Sequence, residues 1–290
     1  MNDDILITGG TGSFGRAFVR MLLPTNPVHP EQNPEHPRII IYSRDELKQW
    51  NMRQEFADHP RLRFFIGDVR DQQRLRRALY GVHTVVHAAA LKRIEVGAYC
   101  ADEMIKTNVV GSMNVVEAAR DAGVKKVIGL STDKAWRGGV SPYGHTKALV
   151  ESLLIQANNM MTSPRFAVVR YGNIWKSNGS IVPMWQQMIK SGATEVPVTD
   201  PDCTRFFMFQ SEAVELIIRT LETMRGGELV IPETLKAYRV GDLAEAMGVK
   251  MRVTGLPAWE RKHEGLRDEM TSDIAPRMTI DELREALRHV

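Results

Sequence analysis

The first two dozen residues restrict this chain more than any other part of it. Asp4-Ile5-Leu6-Ile7-Thr8 reads as a short apolar strand and runs directly into Gly9-Gly10-Thr11-Gly12-Ser13-Phe14-Gly15. Phe18, Val19, Met21 and Leu22 then follow at helical spacing. Glycines three apart between a strand and a helix have separable tasks. Gly9 permits a tight turn, Gly12 lets backbone approach a pyrophosphate, and Gly15 lets helix and strand pack closely. The helix N-terminus adds free N–H groups and the positive end of its dipole. A merely flexible glycine turn would need neither the strand before it nor the helix after it.

The rest of the chain repeats the alternation. Apolar runs near 4–8, 38–42, 62–66, 83–88, 125–131 and 165–171 are separated by helical patterns near 13–22, 45–57, 71–79, 99–122 and 143–160. This predicts an α/β fold, a Rossmann-like doubly wound parallel sheet with helices on both faces. Beyond residue 172 the pattern becomes irregular, with helices expected at 181–191, 211–225 and 279–288. Residues 1–172 are therefore expected to form the dinucleotide-binding domain. Residues 173–290, with interleaved segments, are expected to form a small C-terminal substrate lobe over the carboxyl ends of the strands, where such sheets bind ligands. The run from Leu23 to Pro37 is Pro-rich and polar, and reads as a surface loop. Its His29 and His36 are expected in solvent rather than on a metal.

Composition removes several function classes. A net charge of +3 with dispersed basic residues gives no nucleic-acid footprint. The two cysteines, Cys100 and Cys203, form no C-x-x-C pattern, so neither a metal site nor a disulfide framework is expected. No apolar run reaches membrane-spanning length and no signal-peptide pattern is present, which makes the reducing cytoplasm the expected location.

The second predicted strand ends in Ser43-Arg44-Asp45. An acidic residue at that strand end suits a ribose 2′-hydroxyl, whereas Arg44 suits a 2′-phosphate through charge-assisted bonds. NADP is the expected cofactor, with Asp45 capping the next helix. Asp68, after the third strand, is placed to accept from an adenine amino group or to cap a helix. Ala88, Ala89 and Ala90 would let the cofactor lie close. Asn108 falls inside a predicted helix, where Asn is a poor helix former. It is read as an ordering residue or as simple polarity on the helix face.

Two clusters carry the chemistry. Tyr143 and Lys147 stand at i and i+4 on one predicted helix and share a face. A phenol titrates at about 10 and becomes a usable base near neutrality only with help such as a nearby ammonium. Just upstream, Ser131-Thr132-Asp133-Lys134 ends the fifth strand. Asp133 and Lys134 add an acid and a base where plain hydride transfer needs only a hydroxyl. Dehydration or epimerisation fits that pair better than simple oxidation; a surface ion pair is the plainer alternative.

With these residues in place, the chain resembles the inverting UDP-N-acetylglucosamine 4,6-dehydratases of the extended short-chain dehydrogenase/reductase superfamily, the type found in pseudaminic acid and capsule pathways. The similarity runs nearly end to end. It is most specific in Tyr42-Ser43-Arg44-Asp45-Glu46-Leu47-Lys48-Gln49 and in Leu130-Ser131-Thr132-Asp133-Lys134-Ala135. It implies that Tyr143, assisted by Lys147, takes the proton of the sugar 4-hydroxyl while hydride passes to NADP. Lys134 then takes the C5 proton, Asp133 protonates the departing 6-hydroxyl, and hydride returns to C6. Thr132 would bond the 4-oxygen, and Lys134 would need a lowered pKa. Cofactor contacts are implied for Gly9, Thr11, Gly12, Ser13, Phe14, Gly15, Ser43, Arg44, Asp68, Val69, Ala88, Ala89, Ala90, Lys92, Asn108, Tyr143, Lys147, Tyr171 and Asn173. Substrate contacts are implied for Lys92, Asn173, Ser180, Val182, Thr204, Arg205, Arg261 and Glu264. A homo-oligomer, dimeric or higher, paired through helices 99–122 and 143–160 is also implied.

Three features depart from the family pattern, all on the substrate side. Pro257 stands where the family has the Arg that clamps the diphosphate, and Trp259 where it has Gly; Arg261 and Lys262 are the candidate replacements. The segment before the terminal helix is shorter. The loop from Lys134 to Tyr143 is one residue longer and reads Ala-Trp-Arg-Gly-Gly-Val-Ser-Pro. The alternatives are therefore an epimerase or oxidoreductase acting on a different or smaller nucleotide-linked substrate, and a non-catalytic NADP-sensing protein. The Asp133–Lys134 pair favours dehydration, and intact Thr132, Tyr143 and Lys147 favour an enzyme.

Overall fold

Strand and helix alternate as the apolar pattern requires in the computed structural model, which describes residues 3–23, 37–160 and 162–289. The expected loop carrying His29 and His36 lies largely outside them. Six strands follow the sequence-based spacing: β1 Ile5–Thr8, β2 Ile39–Ser43, β3 Leu62–Ile66, β4 Thr84–His87, β5 Lys126–Thr132 and β6 Arg165–Tyr171. Two short strands, β7 Glu195–Val198 and β8 Thr204–Phe207, precede β9 Leu229–Val230. β9 returns from the C-terminal half to complete a seven-stranded parallel sheet of order β3-β2-β1-β4-β5-β6-β9. The order reverses between β1 and β4, which opens a crevice at the carboxyl ends of those strands.

Alternation along each strand sends side chains to two cores. Ile5, Ile7, Ile39, Ile41 and Val169 pack on one face with Phe18 and Val19 of α1 (Ser13–Leu22). Leu6, Ile40, Val85, Val127 and Val168 pack on the other. That face is covered by α3 (Gln72–Ala78), reached after α2 (Glu46–Glu55), and by the helices beyond β4.

The single helix expected at 99–122 is broken into α4 (Ile94–Tyr99), α5 (Ala101–Met104), a π-helical turn (Ile105–Val110) and α6 (Gly111–Asp121). Asn108 lies in the π turn, a geometry that recurs at functional sites. Next comes α7 (Pro142–Ala157), capped by Ser141, whose Oγ accepts from Gly144 N at 3.1 Å, with Pro142 at its first position. Ile105, Met113 and Leu149, on the helical stretches where pairing is expected, are exposed.

The C-terminal elements are α8 (Ile181–Lys190), α9 (Gln210–Thr223), α10 (Val240–Ala246) and α11 (Ile280–Arg288), with β10 Lys236–Arg239, β11 Lys250–Val253, β12 Gly265–Arg267 and β13 Met270–Thr271. A third core of Trp175, Trp185, Val196, Tyr238, Leu243 and Leu283 holds them together. α9 packs back onto the first core through Val214, Ile217 and Leu221, so the second half of the chain is not spatially separate. No described helix is long and apolar enough to cross a membrane.

Candidate active site

The glycine turn is built for close approach. Gly9 has φ +65°, and a Cβ there would lie 2.8 Å from Ala89 Cα. A Cβ at Gly15 would lie 2.1 Å from Gly10 O, so this glycine lets α1 pack on the turn itself. Gly12 caps α1 without a side-chain bond, leaving the first-turn N–H groups for an external acceptor. This cradle fits a pyrophosphate. Thr11 is buried, Phe14 packs on Phe18, and Ser13 Oγ accepts from Asn178 N at 3.4 Å.

Around this cradle several of the expected contact residues have partners within the protein. Ser43 is buried, and its Oγ accepts from Gln49 Nε2 at 3.1 Å, so it faces inward. Asp45 caps α2 as expected, accepting from Lys48 N at 2.9 Å. The cap of α3 is Asp71 rather than Asp68. Both Asp68 oxygens are bonded by Arg70, and Arg44 lies 3.5 Å from Oδ2 with 53% of its side chain exposed. Asp68 thus anchors two arginines. Val69 is buried against Gly111 in the core.

Asn108 uses both amide hydrogens within the protein, on Leu91 O at 2.9 Å and Thr146 Oγ1 at 3.0 Å, while its Oδ1 accepts from Leu91 N. It orders the loop after β4 against α7. His87, missed by sequence reasoning, joins Thr8 and Ser112 beneath Ala88, Ala89 and Ala90; burial pulls it down to about 3, so it is a neutral spacer. Lys92 is exposed on the same loop.

The end of β5 and the start of α7 bring the reactive groups together. Thr132 Oγ1 donates to Asp133 Oδ1 at 2.8 Å. Lys134 Nζ donates to the same oxygen at 3.1 Å and to Asn173 Oδ1 at 3.1 Å. Asp133 is completely buried, and its Oδ2 has no hydrogen-bond partner among the described residues. Glu264 adds a second carboxylate, 3.4 Å from Lys134 Nζ. The pair is therefore no surface ion pair.

Burial acts to lower Lys134, but Asp133 and Glu264 more than offset it and hold the ammonium above the usual lysine range. This reverses the expected lowered pKa. Burial also pushes Tyr143 up to about 12, opposed by Lys134 and Thr132. Lys147 is pulled down to about 8 by burial against the attraction of Glu151. Lys134, in addition to the Lys147 of the sequence pattern, is thus a cation that bears on Tyr143. Tyr171 is buried beside Tyr143.

Residues without a motif support this floor. Glu151, one turn beyond Lys147, accepts from Ser131 and from Arg170, whose Nη1 reaches Leu266 O at 2.7 Å. Extending Tyr-x-x-x-Lys by another four residues on the same helix face would have found Glu151. Tyr238 lies buried beside Asn173.

A cleft of about 310 Å³, open solvent included, lies over Lys134 and is walled by Arg205, Trp259, Arg261 and Glu264. Arg205 pairs with Glu260 and donates to Lys262 O at 3.1 Å. Of the two candidate replacements for the missing Arg, Arg261 borders the cleft, whereas Lys262 turns away to Asp200 at 3.0 Å. Arg261 Nη1 donates to Trp136 O at 2.9 Å and covers its ring. The longer loop and the altered C-terminal segment thus pack on each other. The Thr204 hydroxyl is bonded to His263 Nδ1 at 2.8 Å and to Ser272 Oγ at 2.6 Å, so its partners within the protein support the chain around Glu264. Val182 is buried in the third core, lining a smaller cavity with Asn173 and Ser180.

Residues 5–279 match the family described as polysaccharide biosynthesis protein. The chain is 43% identical over 265 residues to the UDP-N-acetylglucosamine 4,6-dehydratase (inverting) of Campylobacter jejuni, covering 90% of this chain and 76% of that one. It is 39% identical over 270 residues to the UDP-glucose 4-epimerase of Rickettsia typhi, with the same coverage of both. Among solved structures, Pen from Bacillus thuringiensis superposes with a TM-score of 0.88 at 28% identity, over 98% of this chain and 97% of Pen. The shortened C-terminal region therefore has a counterpart of nearly equal length.

Proposed function

The chain belongs to the polysaccharide biosynthesis protein family, and from that membership we propose that it is an inverting UDP-N-acetylglucosamine 4,6-dehydratase. The observation that carries this reading is the Asp133–Lys134 pair, in which Lys134 borders the cleft and Asp133 is buried beside it. A 4-epimerase moves hydride at one carbon and has no use for a second acid and base. Asp133, fully buried beside Lys134, is the acid that would protonate a leaving hydroxyl.

Gly9, Gly12 and Gly15 would hold the pyrophosphate of a nicotinamide dinucleotide at the N-terminus of α1. Bound there, the cofactor supplies hydride transfer from C4 and back to C6. Tyr143 takes the 4-hydroxyl proton, and Thr132 would bond the same oxygen. The resulting ketone acidifies C5–H, Lys134 removes that proton, and Asp133 protonates the 6-oxygen. Inversion requires the proton returning to C5 to arrive on the face opposite Lys134.

The test is incubation with UDP-N-acetylglucosamine in deuterated water. Loss of one water with deuterium and inverted configuration at C5 is expected. An epimerised sugar of unchanged mass would replace this reading with the 4-epimerase one.

The cofactor is read as NADP, because Arg44 is half-exposed at the β2 end and held near Asp68. Arg44→Ala is expected to weaken NADP binding at least about tenfold, one lost charge-assisted bond of about 1.5–3 kcal/mol, and to spare NAD. Isothermal titration with both dinucleotides checks it; equal losses would rule out a 2′-phosphate contact.

A further inference from the structure

Resting on the dehydratase reading, the buried cluster poses a proton problem. Lys134 can take the C5 proton only as a free amine, Asp133 can protonate the leaving oxygen only as an acid, and Tyr143 needs to be a phenolate. The surroundings favour other forms. Burial keeps the Tyr143 phenol protonated, and two carboxylates keep Lys134 an ammonium. Asp133 Oδ1 accepts from both Thr132 and Lys134, as a carboxylate does. Thr132 adjoins both Tyr143 and Asp133, so one proton passed from the phenol through the threonine hydroxyl arms Tyr143 and Asp133 together. Asp133 is then filled, and the Lys134 proton needs a different acceptor.

We propose that Glu264 is that acceptor: its carboxylate takes a proton from the Lys134 ammonium 3.4 Å away and turns Lys134 into the C5 base. Glu264 is 3% exposed and borders the cleft. Its backbone is fixed by Ser272, whose Oγ accepts from Glu264 N at 2.9 Å. The chain on either side is tied to the Lys134 loop. Before it, Arg261 bonds Trp136 O; after it, Asp268 Oδ1 accepts from Trp136 Nε1 at 3.2 Å and from Arg137 Nε at 3.1 Å. The carboxyl is thereby held against the lysine. Burial favours its protonated form, Asp133 adds to that, and Lys134 and Arg205 oppose it. Glu260 pairs with Arg205, and the Tyr238 hydroxyl and Asn173 complete the surroundings.

The step balances. One N–H bond of Lys134 breaks as one O–H bond of Glu264 forms. The C5–H bond then breaks and the amine regains a third proton, while the Asp133 proton leaves with the 6-oxygen as water. Reaching the armed state requires no exchange with solvent, so elimination by the unsubstituted protein is expected to be flat across the neutral pH range.

The test compares the unsubstituted protein with Glu264→Gln and Glu264→Asp on UDP-N-acetylglucosamine. Water loss is read by mass, and the undehydrated 4-ketone by borodeuteride trapping. Glu264→Gln is expected to slow water loss about a hundredfold at neutral pH, within the range for a lost proton-transfer group, while ketone still forms. The deficit should shrink as pH rises and hydroxide takes the Lys134 proton, and Glu264→Asp should keep part of the activity. Water loss at the original rate or faster in Glu264→Gln would overturn the proposal, because removing a negative charge by itself favours the free amine. Equal loss of ketone and dehydrated product at every pH would overturn it in favour of a structural role. Absence of any product from the unsubstituted protein would instead defeat the dehydratase reading, and this inference with it.

Discussion

Lys134→Ala is expected to stop water loss while 4-ketone still forms. Lys134 is the basic side chain on the cleft floor and bonds Asp133 and Asn173. Its removal leaves the acid in place and takes away the base. A positioned proton-transfer group contributes about 10²–10⁴ in rate, so elimination should fall by at least that lower figure. The oxidation step should also move to higher pH, because Lys134 is a cation that opposes the burial-raised pKa of Tyr143. Mass spectrometry with borodeuteride trapping distinguishes ketone from dehydrated product. Dehydration continuing at the original rate would assign the C5 base elsewhere.

Arg170→Ala should cause the largest loss of stability. The Arg170–Glu151 pair is nearly fully buried between β6 and α7, and Arg170 also holds Leu266 O of β12. Removing the guanidinium leaves an uncompensated carboxylate in the interior, a penalty of about 3–5 kcal/mol. Denaturant unfolding measures it. The paired substitution Arg170→Met with Glu151→Leu should recover most of that loss, since well-packed apolar replacements of buried pairs are often neutral. It should not recover activity, because Lys147 would lose the charge that holds it up against burial. Full activity in the paired variant would show that Glu151 serves packing alone.

The parts of the site legible in the sequence share one property: each is set over a few residues. The glycine spacing at 9, 12 and 15, the Asp45 cap of α2 and the Tyr143/Lys147 spacing all follow from local geometry. The expectations that changed were those decided by neighbours far along the chain. Ser43 turns inward because Gln49 is there to meet it, and Thr204 is held by His263 and Ser272. The helix expected at 99–122 widens into a π turn where Asn108 bonds Leu91 and Thr146. Its apolar spacing could not reveal that competing set of bonds.

Arg261 makes the same point for the departures from the family pattern. Read one at a time, the longer loop and the altered C-terminal segment are two unrelated anomalies. In space they are one contact, Arg261 on Trp136, with Asp268 closing it from the other side.

Sequence alone determined the six strands from β1 to β6 and the glycine turn, and it singled out Thr132, Asp133, Lys134, Tyr143 and Lys147 as candidates for one site. Hydrophobic periodicity and i, i+4 geometry act over short stretches of chain. Only the tertiary structure decided the charge those groups carry. A pKa depends on burial and on charges a few ångströms away through space, whatever their distance along the chain. Lys134 is held as an ammonium against burial first by Asp133, its neighbour in sequence, and then by Glu264, which comes from far downstream and is folded back to within 3.4 Å of it.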